Sequence, residues 1–410
     1  MRWIIVDKKV PVVRFKGFTD DWEQHKLGDL IENYYNGQTP SRNKVEYWGG
    51  TLNWLTSGEL NRGIVTKTKE KITEIAKNKT HLKVVPKGTF VIAITGLEAE
   101  GTRGNCAILG IDTTLNQSCM ALFTNSNLIK VEFLFQWYRK RGNEFGIRYT
   151  QGTKQQSYNA TILNILPISV PSLSEQERIQ SILLQLDNII ALYQEQLNLY
   201  QQLQKELLQR MFVSHRQSNP TIRFSKFYDT WELQVISKCF KNIRNAFVGT
   251  ATPFYVDKGK GHFYLESNNV KNGTINRDKQ IYINEEFYLK QSDKLLHSGD
   301  MVMVQSGSVG NSAIIPPELD STAAHALIMF QSPQEKINSK FINFFFQTSE
   351  AKSELRNITT GNTIQHILAS DMAQFKIKIP TKSEQNKIQK LFDTTVHIID
   401  FYNKRINDVL

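Results

Sequence analysis

Cysteine is scarce in this chain: 410 residues hold only Cys106, Cys119 and Cys239. Three thiols with no Cys-x-x-Cys pair and no histidine at ligand spacing exclude a disulfide framework and a structural zinc site. Reduced thiols packed as small apolar groups are expected instead. Long apolar runs are missing too. No stretch of eighteen apolar residues occurs, and Met1-Arg2-Trp3-Ile4-Ile5-Val6 gives way at once to Asp7-Lys8-Lys9, too short a run for a signal peptide. A soluble, cytoplasmic chain is the expectation. Signatures of catalysis are equally thin. There is no Gly-x4-Gly-Lys-Ser/Thr phosphate loop, no Gly-x-Gly-x-x-Gly after a strand and no His-Glu-x-x-His. Asn219-Pro220 is followed by Thr221, which removes the Asn-Pro-Pro-aromatic motif of amino-methylating enzymes. Glu285-Glu286 and the Glu98/Glu100 pair lie in polar stretches and read as solvated. Gly307-Ser308-Val309-Gly310 has no following lysine and reads as a glycine turn between strands. The chain is not expected to catalyse anything.

What it has in surplus is positive charge. Fifty Lys+Arg against 39 Asp+Glu give +11, with a sequence pI near 9.3, which favours a polyanionic partner, nucleic acid before membrane. The length points to two to four domains, and 40% hydrophobic residues suffice to give each a core.

The chain is also written twice. Pro11-Val-Val-Arg14-Phe15-Lys-Gly-Phe18-Thr-Asp20-Asp-Trp22-Glu23 matches Pro220-Thr-Ile-Arg223-Phe224-Ser-Lys-Phe227-Tyr-Asp229-Thr-Trp231-Glu232 at seven identities, all offset by 209. Pro171-Ser-Leu-Ser174-Glu175-Gln176 matches Pro380-Thr-Lys-Ser383-Glu384-Gln385 at the same offset. Between these blocks the copies keep an outline, with Gly63 facing Gly273, Gly88 facing Gly299 and Gly104 facing Gly310, while most residues between the glycines differ. A duplicated frame with divergent contents predicts one architecture presenting two recognition surfaces.

Each copy has two parts. The first is rich in short β-branched runs, Val91–Ile94, Leu163–Leu166, Met301–Val304 and Phe375–Ile379, which predict strands of an α+β domain, with one helix per copy at 130–141 and 338–350. The second is a long helix. Ser174 ahead of Glu177 predicts an N-cap with a capping-box acid. Apolar residues then recur at Ile179, Leu183, Leu186, Ile190, Tyr193, Leu197, Tyr200, Leu207 and Met211, alternating four and three, with Gln204 the polar break. The second copy offers Ile388, Phe392, Ile399, Tyr402, Ile406 and Val409, with Thr395 as its break. Charge follows this division. Residues 21–170 hold 18 Lys+Arg against 13 Asp+Glu and residues 220–380 hold 18 against 15, whereas 171–215 hold 3 against 5. A polyanion would meet the strand-rich domains rather than the first helix.

A basic tandem repeat in which each variable domain is closed by a Pro-x-x-Ser-Glu-Gln helix resembles the specificity subunit of Type I restriction-modification systems. Further echoes are Arg14–Phe18 with Trp22, Gly37-Gln-Thr39-Pro40-Ser41 followed by Tyr47-Trp48, Trp54-Leu-Thr56-Ser57-Gly58-Glu59-Leu60, Asn116-Gln117-Ser118 and Ser306-Gly-Ser308-Val-Gly310. The resemblance spans essentially the whole chain. It implies an α+β fold in which two tandem target-recognition domains are separated by two long helices packed as an antiparallel coiled coil, a pseudo-two-fold internal repeat. The domains fall at 1–170 and 216–380, the helices at 171–215 and 381–410. Each domain would read half of a bipartite double-stranded DNA target, and the helices would act as a ruler. The implied partners are two modification (methyltransferase) subunits and the restriction (motor-nuclease) subunits. Those partners would bring S-adenosylmethionine, ATP and Mg2+; this chain itself would bind no cofactor.

Candidate base readers, chosen as amides, hydroxyls and cations in the divergent loops, are Thr56, Ser57, Arg62, Arg103, Asn105 and Lys154 in the first domain. In the second they are Ser267, Asn268, Asn269, Ser308, Asn311 and Gln365. Two features depart from the family pattern. The second helix is shorter than the first, without counterparts of Leu203 through Phe212, and Ala324-His325 stands near where the first copy has Gln117-Ser118. The first departure leaves a truncated or silent specificity cassette as an alternative. A coiled-coil interaction scaffold and an undetected nuclease are the other two.

Overall fold

Short β-branched runs bounded by Gly, Asn and Pro form strands, and the computed structural model, which describes residues 11–149, 157–213, 217–359 and 365–409, groups them in a similar way twice. The chain divides into two units, Met1–Ile189 and Ile190–Leu410. In the first, a five-stranded sheet runs in the order Ile31–Asn36, Cys119–Thr124, Phe90–Ala93, Cys106–Leu109, Ile64–Val65. A smaller sheet is ordered Glu70–Ile72, Trp48–Leu55, Thr114–Leu115. In the second unit the main sheet is Phe240–Asn245, Leu327–Pro333, Met301–Val304, Ser312–Ile314. Its smaller sheet is Tyr255–Val256, Ile281–Ile283, His262–Leu265, Ala323–Ala324. Each smaller sheet contains one parallel pairing, Trp54 and Leu55 beside Thr114 and Leu115 in one unit, Tyr264 and Leu265 beside Ala323 and Ala324 in the other. Phe90–Ala93 and Met301–Val304 are buried at every position, which is why they read as unbroken apolar runs rather than alternating ones.

Two local expectations change. Leu163–Leu166 is not a strand: Asn159 accepts a hydrogen bond from the Ile162 N–H (2.8 Å) and starts the helix Ala160–Asn164, so the strand begins only at Pro167. The single helix expected over 338–350 is two, Ser339–Phe345 and Ser349–Ile358, because the Thr348 hydroxyl caps Ala351 N–H (3.1 Å) and opens a new helix. Its counterpart in the first unit, Val131–Arg148, runs on without such a cap and packs its Phe135 and Tyr138 edge-to-face on Phe90.

The long helices are Leu173–Met211 and Lys382–Val409. They start earlier than the expected cap. Ser172, not Ser174, precedes the first turn, and its hydroxyl accepts from Glu175 N–H (3.4 Å). The repeated Glu-Gln dipeptide that follows has another task. Glu175 is buried and takes both Arg14 Nε and Nη2 at 2.7 Å; Glu384 is buried and takes Arg223 Nε and Nη2 at 2.8 Å. Gln176 accepts from Lys130 N–H and donates to the Pro171 and Leu128 carbonyls, while Gln385 accepts from Asn338 N–H and donates to those of Pro380 and Lys336. The strand after each arginine arm, Glu23–Lys26 or Glu232–Val235, pairs antiparallel with the strand entering each helix, Pro167–Val170 or Lys376–Ile379. The sequence repeat is therefore a structural closure. Each arm is stitched to its own unit's exit strand and helix start.

Within the second unit, Tyr193 and Tyr200 of the first long helix place their rings 5.9 and 5.8 Å from Tyr402 of the second, and Phe212 lies 5.9 Å from Phe392. The two polar breaks meet: Gln204 Nε2 donates to Thr395 Oγ1 at 3.0 Å. Ile388, Phe392 and Ile406 are buried, and Ile190, Leu197 and Ile399 half-buried. Among the described residues no helix is long and apolar enough to cross a membrane.

The buried ion pair yields a testable asymmetry. Arg223→Ala leaves the Glu384 carboxylate buried without its cation, a loss of about 3 kcal/mol. Adding Glu384→Met to that variant removes the stranded charge. In urea unfolding the double variant is expected to be more stable than Arg223→Ala alone; equal midpoints would contradict the clamp.

Candidate nucleic-acid interface

Strand register decides which loops share an edge. In the first unit the central strand ends at Ala93, whose N–H donates to Asn105 C=O on one side, while the next residue, Ile94, donates to Ser118 C=O on the other. Ile94 C=O in turn accepts from Tyr158 N–H, Asn116 N–H donates to Leu55 C=O, and Arg62 N–H donates to Cys106 C=O. The loops 56–62, 94–105 and 116–118 are thereby gathered at one end of the sheets. The second unit repeats the plan. Val304 N–H donates to Asn311 C=O, Ile367 N–H to Gln305 C=O and His325 N–H to Leu265 C=O, collecting 267–269, 305–311, 325 and 365–367.

Two glycine positions make this edge possible. Gly104 and Gly310 both sit at positive φ (71° and 85°), and a Cβ would come within 2.8 Å of Asn143 N at the first and 2.7 Å of the Leu355 side chain at the second. Each lets its turn lie flat on a helix of its own unit.

The expected readers fare differently. Arg62, Arg103 and Asn105 are brought together: Arg62 donates to Asn105 Oδ1 (3.3 Å) and to Arg103 C=O (2.9 Å), while Arg103 donates to the Leu97 and Glu98 carbonyls. Arg62 is exposed; Arg103 is a loop brace whose guanidinium is engaged by its own backbone. Thr56 caps the turn Ser57–Glu59, its hydroxyl donating to Glu59 Oε2 at 2.7 Å. Lys154 lies outside the described residues. In the second unit Asn268, Ser308 and Gln365 are exposed, and Ser267 and Asn311 are half-buried at the same edge.

Asn269 is a correction. It is 3% exposed, its Oδ1 accepts from Glu266 N–H (2.9 Å), and its Nδ2 donates to the Asn276 and Lys279 carbonyls (2.9 and 2.7 Å). Its side chain is spent on the turn and has nothing left for a base. His325, where the first unit has Asn116, is likewise held, with Nε2 2.9 Å from Gly249 O and the ring beside Phe247 and Tyr264.

Sequence reading missed a second class of residue, cations resting on aromatic rings. The Arg42 guanidinium lies 3.8 Å over Trp48 and 5.2 Å from Trp54, and Glu70 holds both its terminal nitrogens. Lys44 rests over Tyr47, and Lys83 over Tyr35. In the second unit Arg277 covers Phe263 and Lys290 covers Phe254. Cations held on aromatic faces are oriented without losing charge, an arrangement suited to phosphate and base stacking. Local spacing could not have singled them out: Lys83 and Tyr35 are 48 residues apart and Lys290 and Phe254 are 36 apart, brought together only by tertiary packing.

Burial pushes the Cys106 and Cys239 thiols up to about 12, far from a nucleophilic thiolate. Among the described residues no group of three or more His, Cys, Asp or Glu is placed to hold a metal ion.

The two-fold division of the chain reappears in comparison with known proteins. The family described as Type I restriction modification DNA specificity domain matches residues 19–201 and again 246–410. A putative type I restriction enzyme MjaX specificity subunit of Methanocaldococcus jannaschii is 25% identical over 402 residues, covering 94% of this chain and 89% of its own length. The EcoR124I/EcoR124II specificity subunit of Escherichia coli is 28% identical over 181 residues, 43% of each chain. Among solved structures, the S subunit of a Type-I restriction-modification system from M. genitalium superposes with a TM-score of 0.61 at 13% identity over 98% of this chain and 95% of its own.

The Asn269 assignment has a direct check. Asn269→Ala unpairs one N–H and two carbonyls and is expected to cost about 2 kcal/mol, roughly 4–8 °C in Tm. Asn268→Ala, exposed beside it, is expected to leave the melting curve in place.

Proposed function

This chain belongs to the Type I restriction-modification DNA specificity family, and from that membership we propose that each unit reads one half of a bipartite duplex target through the loop edge that its sheets assemble. It is a specificity subunit with two target-recognition domains. The observation that carries the proposal is the duplicated closure. One Arg–Glu clamp and one Gln-bridged helix start frame two edges whose exposed residues differ. An identical frame with different contents is what reading two unrelated half-sites requires.

In this reading Arg62 and Asn105 face the first half-site, and Ser267, Asn268, Ser308, Asn311 and Gln365 the second. Amides and hydroxyls supply base-edge contacts, and Lys44, Lys83 and Arg277, resting on aromatic rings, hold phosphates. Lys154 is kept as a first-domain candidate. The chain itself is non-catalytic, and adenine methylation belongs to methyltransferase subunits that carry S-adenosylmethionine. DNA cleavage belongs to restriction subunits using ATP and Mg2+.

The long helices, packed as an antiparallel coiled coil, set the spacer. Gln204 against Thr395 fixes their register, because a polar pair inside an apolar seam is satisfied in only one alignment. Within the second unit the first helix also carries an exposed apolar stripe, Leu192, Leu199 and Leu203, at helical spacing on one side. Such a stripe favours a protein partner, and we assign it to methyltransferase docking.

Two experiments test this. Methylation-aware sequencing of the host genome is expected to show a bipartite methylated-adenine motif that disappears when the gene is deleted. Arg62→Ala with Asn105→Ala should relax one half of that motif, and Ser308→Ala with Asn311→Ala the other. Relaxation of both halves by either pair would refute the division of labour. Separately, matched heptad insertions in both helices, between Leu197 and Gln204 and between Thr395 and Tyr402, lengthen the ruler by about 10 Å. The motif's spacer should then change by about three base pairs; an unchanged spacer would rule the helices out as its determinant.

A further inference from the structure

The second unit shows what covers the aromatic corner beside its arginine arm. Phe212, just past the end of the first long helix, places its ring 5.0 Å from Phe341, 6.2 Å from Phe345 and 6.4 Å from Trp231. Leu208, Met211, Phe212 and Val213 are all buried in that core. Ile222 N–H donates to Arg210 C=O at 2.8 Å, tying the arm to the helix end.

The first unit has the same corner. Trp22 meets Phe133 edge-to-face at 5.8 Å and 68°, as Trp231 meets Phe341 at 5.6 Å and 62°. Lys130 N–H and Asn338 N–H make equivalent bonds to the helix-start glutamines, which fixes the alignment of the two corners. Yet position for position the first corner is more open. Trp231, Phe345, Ile388 and Phe392 are buried, whereas Trp22, Trp137, Ile179 and Leu183 are half-buried. Thr395 is 4% exposed and its counterpart Leu186 is 38% exposed; Val13, the counterpart of Ile222, is 86% exposed. The bordering charges are already paired, Lys130 with Glu177 at 2.9 Å and Arg139 with Asp187 at 2.8 Å. The face therefore asks for an apolar occupant.

The 209-residue offset names one. Carried eight residues back from Pro220 it pairs Phe212 with Trp3 and Val213 with Ile4, and the apolar run continues through Ile5 and Val6. Residues 1–10 are outside the described part of the chain, and Arg14, held to Glu175 one turn ahead of Ile179, tethers them close to this corner. The same apolar run, too short for a signal peptide, has no other task in the proposed function. We propose that Trp3-Ile4-Ile5-Val6 seats on the open corner of the first unit, Trp3 filling the place that Phe212 fills in the second. The first recognition domain then takes its cover from residues 3–6 of the same chain, where the second takes it from the end of a helix. Burial of an indole and three aliphatic side chains against aromatic and aliphatic walls supplies the attraction, and the short tether keeps the segment's effective concentration high.

The test is photocrosslinking of the full-length chain with p-benzoylphenylalanine at position 3. The expected product is an intrachain crosslink to peptides containing Trp22, residues 131–148 or residues 173–189, its yield reduced at least tenfold by Leu186→Glu. Amide exchange across residues 179–189 should quicken at least tenfold in Trp3→Asp and stay near wild type in Trp3→Phe. Crosslinks between two copies of the chain would overturn the proposal in favour of a dimer contact. Crosslinks only to a methyltransferase subunit would overturn it in favour of a partner site. No crosslink, with exchange unchanged in Trp3→Asp, would also overturn it.

Discussion

A buried carboxylate held by an arginine from the far end of its own unit is the constraint on which each half of this molecule depends. Glu175 and Glu384 sit where a helix begins, in positions closed to water, and Arg14 and Arg223 meet their carboxylates with two nitrogens apiece. That pairing brings residues 161 apart in sequence together in each copy. Once it is made, the arm must lie along the exit strand, the strand must enter the helix at a fixed angle, and the helix must leave the unit in a fixed direction. The neighbouring glutamine extends the lock, gripping the loop ahead of a packing helix through its backbone alone. Backbone recognition places little demand on the identity of the gripped residues, so the loops are free to diverge while the frame is held.

That separation of frame from content explains how one unit can be used twice for different purposes. The central strands and the glycine turns at Gly104 and Gly310 recur with the same geometry. The side chains projecting from the gathered loops do not. A charged, hydroxyl-rich edge stands in one unit, and an amide- and hydroxyl-rich edge in the other. Sheet register, not side-chain chemistry, brings these loops together, which leaves specificity free to vary without risk to the core.

Much of this was legible in the sequence. The repeat offset located both closures, the four-three alternation located the first long helix, and the paired glycines located the turns of the sheet edge. Gln204 and Thr395 stood out as breaks in two seams, and they are bonded to each other. Other readings were blind to tertiary competition. Asn269 is the residue type expected of a base reader, yet its own turn consumes both polar atoms of its side chain. Ser174 looked like the cap, but Ser172 holds the first turn. Arg42 showed no pattern, because its partners Trp48, Trp54 and Glu70 are assembled by strand pairing and not by local spacing.

The sequence by itself determined the duplication, the helical periods, the excess of positive charge on the strand-rich parts and the residues that repeat. These are one-dimensional properties, carried by spacing and composition. Only the tertiary structure decided which polar side chains are spent internally and which remain available, and which corners of two similar units are covered and which stay open. Those outcomes depend on which distant groups compete for the same hydrogen bond or the same volume, and neither contest leaves a trace in local sequence.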